Sequence, residues 1–259
     1  MSAPPILTDR AALSRNRIRA MAQGADLFLH EECAAEAEER LSEVKKEFTD
    51  PAVVSAFPAP WAEILPQARI VTDDPVLALE EGAHDLVIHA LSLHWASDPV
   101  GQLIQCRRAL RPDGLFLGVL FGGRTISELR AALAEAESRM TGGLSPRVLP
   151  MGEIRDLGAL LQRAGFALPV ADSVRKTVTY ATMFHLVADL RAMGEGNALA
   201  ARSRRIPPRA LNAATYEMNW LTGRSPDDSQ PKPLRPGSAA QRLAEALGVV
   251  ETPLSRTDD

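Results

Sequence analysis

Residues 114–121 read GLFLGVLF, eight apolar residues without a polar interruption, preceded by RPD and followed by GG. A half-buried strand alternates apolar and polar side chains, so a strand with no polar positions at all must be covered on both faces. Such a strand belongs in a layered sheet, and the rest of the chain has to supply helices above and below it. Asp98 followed by Pro99 opens one helix with an N-cap and a first-turn proline, and Val100, Leu103, Ile104 and Leu110 form its apolar face. Thr125 with Glu128 reads as a capping box for a helix reaching to about Met140. A further helix is expected from about Gly152 to Ala164, with Gly165 as its stop.

Upstream, helices are expected over 9–23 and 26–46. AVVSAF (52–57), ARIVTDD (68–74) and HDLVIHAL (84–91) read as strands, and PAPWAEILP leaves room for only a turn or two of helix between its prolines. Downstream, SVRKTVTY (173–180) and TYEMNWL (215–221) read as late strands around a helix over roughly 182–193. Strands alternating with helices, then late strands, imply an α/β fold whose sheet is mostly parallel with an antiparallel edge. The expected division is N-terminal helices over 1–48, the α/β domain over 49–222, and a Pro-rich tail over 223–259 with a short helix at 238–247.

The chain has 259 residues and a net charge of −4, which does not suit a polyanion partner, so no nucleic acid is expected. Arg202, Arg204, Arg205 and Arg209 form a short basic cluster broken by two prolines, read as a solvated loop. Cys33 and Cys106 lie far apart with no CxxC pair, so neither a disulfide framework nor a zinc site is indicated. No stretch approaches the roughly 20 apolar residues a membrane span needs. Arg10, Arg15, Arg17 and Arg19 are placed on a surface helix, and the expected setting is soluble and cytoplasmic.

Four stretches carry a more specific signal: ALSLHWASDP, RRALRPDGLFLGVLFGG, LGALLQRAGF and LRAMGEGN. In this order they resemble the class I S-adenosylmethionine-dependent methyltransferases, whose fold is Rossmann-like. The resemblance runs from about residue 8 to about residue 221. It includes the malonyl-carrier-protein methyltransferases of biotin synthesis and, more closely, the methyltransferase-like assembly factor of respiratory complex I. Members of that second group are implicated in hydroxylating an arginine of a complex I iron–sulfur subunit.

One part of the family pattern is missing. Family members seat the methyl donor on a glycine-rich turn after the first strand, where a Cβ would collide with the ligand. Here AVVSAF is followed by PAPW, and no glycine occurs between Gly24 and Gly82. Ala52 and His84 are 32 positions apart, about one βαβ unit, so one strand and one crossover helix are expected to be absent. The fold is therefore expected to be shortened near its first and second strands.

Candidate site residues follow from position and from the resemblance. His94 leaves the carboxyl end of the 84–91 strand, the edge where open α/β sheets bind ligands; it is a candidate catalytic base or substrate contact, or a side chain packed under the next helix. Ser92 and Trp95 beside it could bound a cofactor pocket. If ARIVTDD matches the family's third strand, Asp73 and Asp74 stand where adenine is contacted; acids before Pro75 are also ordinary turn formers. FGGRT could cradle an anion or simply join a strand to a helix. The resemblance puts Arg147, Glu195 and Asn197 on the substrate or partner side. His84 and His89 are five apart on a strand and point to opposite faces, so no shared metal is expected.

The resulting reading is a methyltransferase-fold pseudoenzyme with degenerate S-adenosylmethionine binding, acting on or binding a protein partner. The resemblance implies a complex I subunit as that partner, and a homo-oligomer is also open. The alternative is an active S-adenosylmethionine-dependent methyltransferase with a rebuilt cofactor pocket.

Overall fold

The apolar run at 114–121 is the inner strand its composition requires. In the computed structural model, which describes residues 6–202 and 213–231, Leu115 to Phe121 are all buried. Leu115, Leu117, Val119 and Phe121 enter one core, whereas Phe116 and Leu120 enter a second core on the other face. Alternation along one strand thus feeds two apolar layers.

In chain order the described elements are α1 (Arg10–Ala22), α2 (Phe28–Glu43), β1 (Pro51–Val54), α3 (Ala59–Ile64), β2 (Arg69–Val71), β3 (His84–Ala90), α4 (Pro99–Ala109), β4 (Leu110–Phe121), α5 (Ser127–Thr141), α6 (Ile154–Arg163), β5 (Ala167–Thr179), α7 (Met183–Ala192) and β6 (Ala213–Arg224). The sheet order is β2-β1-β3-β4-β6-β5. The first four strands are mutually parallel, and β6 runs antiparallel to both β4 and β5. The fold is mixed α/β with a mostly parallel sheet and an antiparallel edge.

The doubly wound order 3-2-1-4-5-6 sets three strands on one side of its switch point. Here only β1 and β2 lie beyond β3, joined by the six-residue α3. β2 lies directly against β1, in the place a second strand takes in that order rather than a third. The contacts of α2 and α3 cover this shortened end, where Trp61 is completely buried beside Val53 and Leu29.

Several local expectations differ from what is observed. RPDG does not separate α4 from the following strand: β4 begins at Leu110, and its register with β3 shifts between the pairs His84–Leu110 and Leu86–Leu115. Asp113, at φ +57, takes up the irregularity. No capping box forms on α5. Thr125 instead exchanges hydrogen bonds with the backbone of Glu217, and the Glu128 carboxylate accepts from the Thr215 hydroxyl and N–H. Both side chains are used to dock β6, which the sequence places about 90 residues away. β5 and β6 are longer than the apolar runs suggested because each pairs with the other over eleven residue pairs.

The chain divides into Met1–Asp227, which contains every element above, and Asp228–Asp259. The helix expected at 238–247, and Arg204, Arg205 and Arg209 of the basic cluster, lie outside the described residues. No helix among the described residues is long and apolar enough to cross a membrane.

Candidate functional site

At the carboxyl end of β3, Leu91 adopts φ +42 and donates its N–H to the Val119 carbonyl at 2.9 Å. This left-handed residue turns the chain out of the sheet into a short helical turn, Leu93–Trp95. A non-glycine residue held at positive φ is costly and persists where its surroundings fix it. The turn brings His94 and Trp95 beneath the loop after α7, where Gly194, at φ +73, presents Glu195. Glu195 Oε2 accepts from Trp95 Nε1 at 2.8 Å and lies 3.2 Å from His94 Nε2. Thr8 pins the same turn by donating its hydroxyl to the Trp95 carbonyl at 2.7 Å.

Burial alone would raise the Glu195 carboxyl, but the His94 ring, Arg17 and the Trp95 indole N–H together hold it below its ordinary value. Beside it lies a cavity of about 230 Å³. Trp95, Phe121 and Tyr216 give it aromatic walls, and Glu195, Asn197, Arg147 and Arg191 supply polar edges. Arg147 is paired with Glu137 at 2.8 Å, an ion pair that with Ser145 pushes Glu137 down to about 2. Its charge is therefore largely spent within the protein. Asn197 is also committed, donating to the Pro146 carbonyl and accepting from the Leu199 N–H. Glu195 is the carboxylate in the lining of this cavity.

The carboxyl ends of β1 and β2 are built differently. Phe57, three residues beyond β1, stands near where a glycine turn would approach a cofactor, and it is buried. The His30 ring packs edge-on against it at 5.1 Å. From α1, Arg17 Nη1 reaches Asp73 Oδ1 at 2.6 Å, and Arg10 Nη1 reaches Asp73 Oδ2 at 3.1 Å. Burial pushes the Asp73 carboxyl up, and the two guanidinium groups more than reverse that. A Cβ on Gly194 would come within 2.9 Å of Arg17 Cγ and 3.0 Å of Phe57 Cζ. Side chains from α1, α2 and the loop after β1 therefore meet the backbone of Gly194, after α7, and close this place.

The residues singled out by sequence fall into two groups. Trp95 and Glu195 come together on the cavity, with Arg147 and Asn197 at its margin, whereas His94 meets Glu195 from outside that lining and faces a second cavity with Leu93, Met151 and Leu157. Asp73 faces Arg17 and is buried; Asp74 is exposed and accepts from Thr72. Ser92 is buried with no hydrogen-bond partner on its hydroxyl among the described residues. No group of three or more His, Cys, Asp or Glu that could hold a metal occurs among the described residues. His30, Phe57 and Tyr216 were not singled out, and Arg17, read as part of a surface helix, is buried against Asp73. Phe57 was detectable as a bulky residue at the glycine position; Arg17 gave no local signal, since its partner lies 56 residues on.

The residues present do not fit S-adenosylmethionine. No glycine follows β1, and the acid after β2, which in this fold would hold ribose hydroxyls, is saturated by arginines.

Comparison with known proteins agrees with the architecture. A methyltransferase domain family matches residues 34–118. The mitochondrial arginine-hydroxylase NDUFAF5 of Mus musculus is 37% identical over 198 residues, covering 70% of this chain and 58% of that protein. The malonyl-[acyl-carrier protein] O-methyltransferase of Laribacter hongkongensis is 35% identical over 162 residues, covering 61% of this chain and 52% of that protein. The chain thus spans somewhat over half the length of these relatives. Among solved structures, the 1,6-didemethyltoxoflavin-N1-methyltransferase of Burkholderia thailandensis aligns over 88% of this chain and 94% of its own, with a TM-score of 0.50 and 16% identity, which speaks to fold alone. In fold and in sequence, this chain is similar to the class I S-adenosylmethionine-dependent methyltransferases.

Proposed function

We propose that this chain is a methyltransferase-fold protein that has given up S-adenosylmethionine and works by engaging a protein partner through an arginine side chain. The observation that carries the reading is the closed crevice, in which the Arg17–Asp73 pair and Phe57 stand where the family seats its cofactor. One open feature is the aromatic cavity with Glu195 at its edge, and a second cavity of about 400 Å³ lies beside His94. A guanidinium suits the first, because a carboxylate and ring faces both attract a planar cation. The relatives named as arginine-hydroxylases support an arginine-bearing partner, and the family resemblance points to a complex I subunit.

Titration calorimetry with S-adenosylmethionine and S-adenosylhomocysteine tests the first half. No saturable heat and no rise in Tm at millimolar ligand are expected, since a ligand that binds only the native state must stabilise it. Saturable binding at micromolar ligand would overturn the reading and restore that of a working transferase with a rebuilt pocket.

A short arginine-containing peptide tests the second half. In NMR titrations it should shift the Trp95 indole N–H resonance saturably. Glu195→Gln keeps an acceptor for the indole but removes the charge, and it should weaken the peptide about tenfold, the effect of losing ~1.4 kcal/mol. Equal binding by the variant would exclude Glu195 as the anchor.

A further inference from the structure

We infer that the outer edge of β5 is a homodimer interface, at which two copies of this chain join their sheets antiparallel about Val174. Among the described residues β5 pairs only with β6, so one side of this 13-residue strand offers a row of free backbone donors and acceptors. Natural edge strands are blunted by shortness, proline, bulges or charge. On β5 the irregularity is confined to one end, where Leu168 sits at φ +49 next to Pro169 and the register with β6 shifts. From Val170 to Thr179 the ladder is regular.

The side chains select a second copy as the occupant and fix its register. In an antiparallel pair, residues directly opposite must both direct their backbone groups across the interface or both away from it. A two-fold relating two β5 strands through opposed residues therefore passes through a residue position. Centred on Asp172, Arg175 or Lys176, it would set that charge against its own copy. Centred on Ser173, it would set Lys176 against Val170 and Asp172 against Val174. Centred on Val174, it sets Asp172 opposite the partner's Lys176, Val170 opposite the partner's Val178, and Val174 opposite itself. All of these side chains lie on one face of the strand. Opposite-charge and β-branched cross-strand pairs stabilise a sheet, and like charges destabilise it.

The flanking helix extends the match. On the same face Asp172 is held by Arg40 of α2 at 2.7 Å, and Lys176 by Glu32 of α2 at 2.5 Å. Joining the strands about Val174 lines up Glu32, Lys176, the partner's Asp172 and the partner's Arg40 with alternating sign, twice over by symmetry. Val170, more than half exposed in the single chain, is covered by the partner's Val178. Both copies contribute identical patches, as a two-fold interface requires.

Sedimentation velocity on the full chain, with two charge variants, provides the test. The unmodified protein should sediment as a dimer that dissociates on dilution. Asp172→Lys and Lys176→Asp each place like charges opposite one another at both symmetric positions, and each should weaken dimerisation tenfold or more. Mixed one to one, the two variants complement each other and should recover the dimer as a heterodimer, which also shows that each is folded. A monomer at all concentrations, a dimer indifferent to both variants, or a mixture that fails to reassociate would overturn the assignment.

Discussion

Acidification from pH 6.5 to 4 should remove several kcal/mol of stability, and the loss should begin before the carboxylates titrate. His30 and His89 are both completely buried, and burial pushes each down to about 4. Neither His30 ring nitrogen has a hydrogen-bond partner among the described residues. His89 Nε2 faces Gln102 Oε1 at 2.9 Å, and the Gln102 amide nitrogen donates to the carbonyls of Asp73 and Asp74, so the Gln102 oxygen accepts a proton carried on Nε2, while burial rather than this bond keeps the ring neutral. An unfolded chain takes up both protons near pH 6.5, whereas the folded one resists until about 4. Over that window the unfolded state binds more protons, so stability falls as pH falls, by roughly 1.4 kcal/mol per pH unit for each imidazole.

Below that window a second loss begins. Asp73 and Glu195 have folded values held below the ordinary carboxylate range, so their contribution is present above that range and disappears as pH falls through the folded values. Urea unfolding at pH 7, 6, 5 and 4 should show the midpoint dropping from pH 6.5 downward, and His30→Leu should flatten about half of that slope. A midpoint constant between pH 7 and 4.5 would show that the two imidazoles do not control acid stability.

Replacing Arg17 with Met should cost about 3 kcal/mol or more, because removing one member of a buried pair leaves the other charge stranded. The Arg17 and Asp73 side chains are 9% and 4% exposed, so water cannot take over the lost partner's role. Arg10, a third exposed, retains one contact and limits the damage. Arg10→Met should cost about 1 kcal/mol or less, as solvated ion pairs do. The discriminating variant is the double change Arg17→Met with Asp73→Asn, which removes the stranded charge and should recover a large part of the loss. Urea midpoints of the three proteins check this. If the double variant is no better than Arg17→Met, the cost lies in lost packing against Phe57 and Gly194 instead.

Much of the layered architecture was readable from local pattern. GLFLGVLF demanded burial on two faces, Asp98–Pro99 announced α4, and the 32 positions between Ala52 and His84 left room for one crossover rather than two. These signals are local: a cap, a strand period or a chain length is decided by residues within a few positions of one another. Where local reading failed, a distant partner had intervened. Thr125 and Glu128 looked like a capping box and instead bind the backbone of β6.

The candidate site was half visible for the same reason. Position at the strand end named His94 and Trp95, and the resemblance named Glu195, but the sharing of one carboxylate oxygen by Trp95 and His94 depends on segments about 100 residues apart. By itself the sequence determined that this protein has a Rossmann-like sheet shortened at one end and lacks a glycine turn. Only the tertiary structure decided what fills the space left behind, since Arg17, His30, Phe57 and Gly194 reach it from four separate segments. Their meeting depends on how long-range packing closes the chain, and no window of neighbouring residues encodes it.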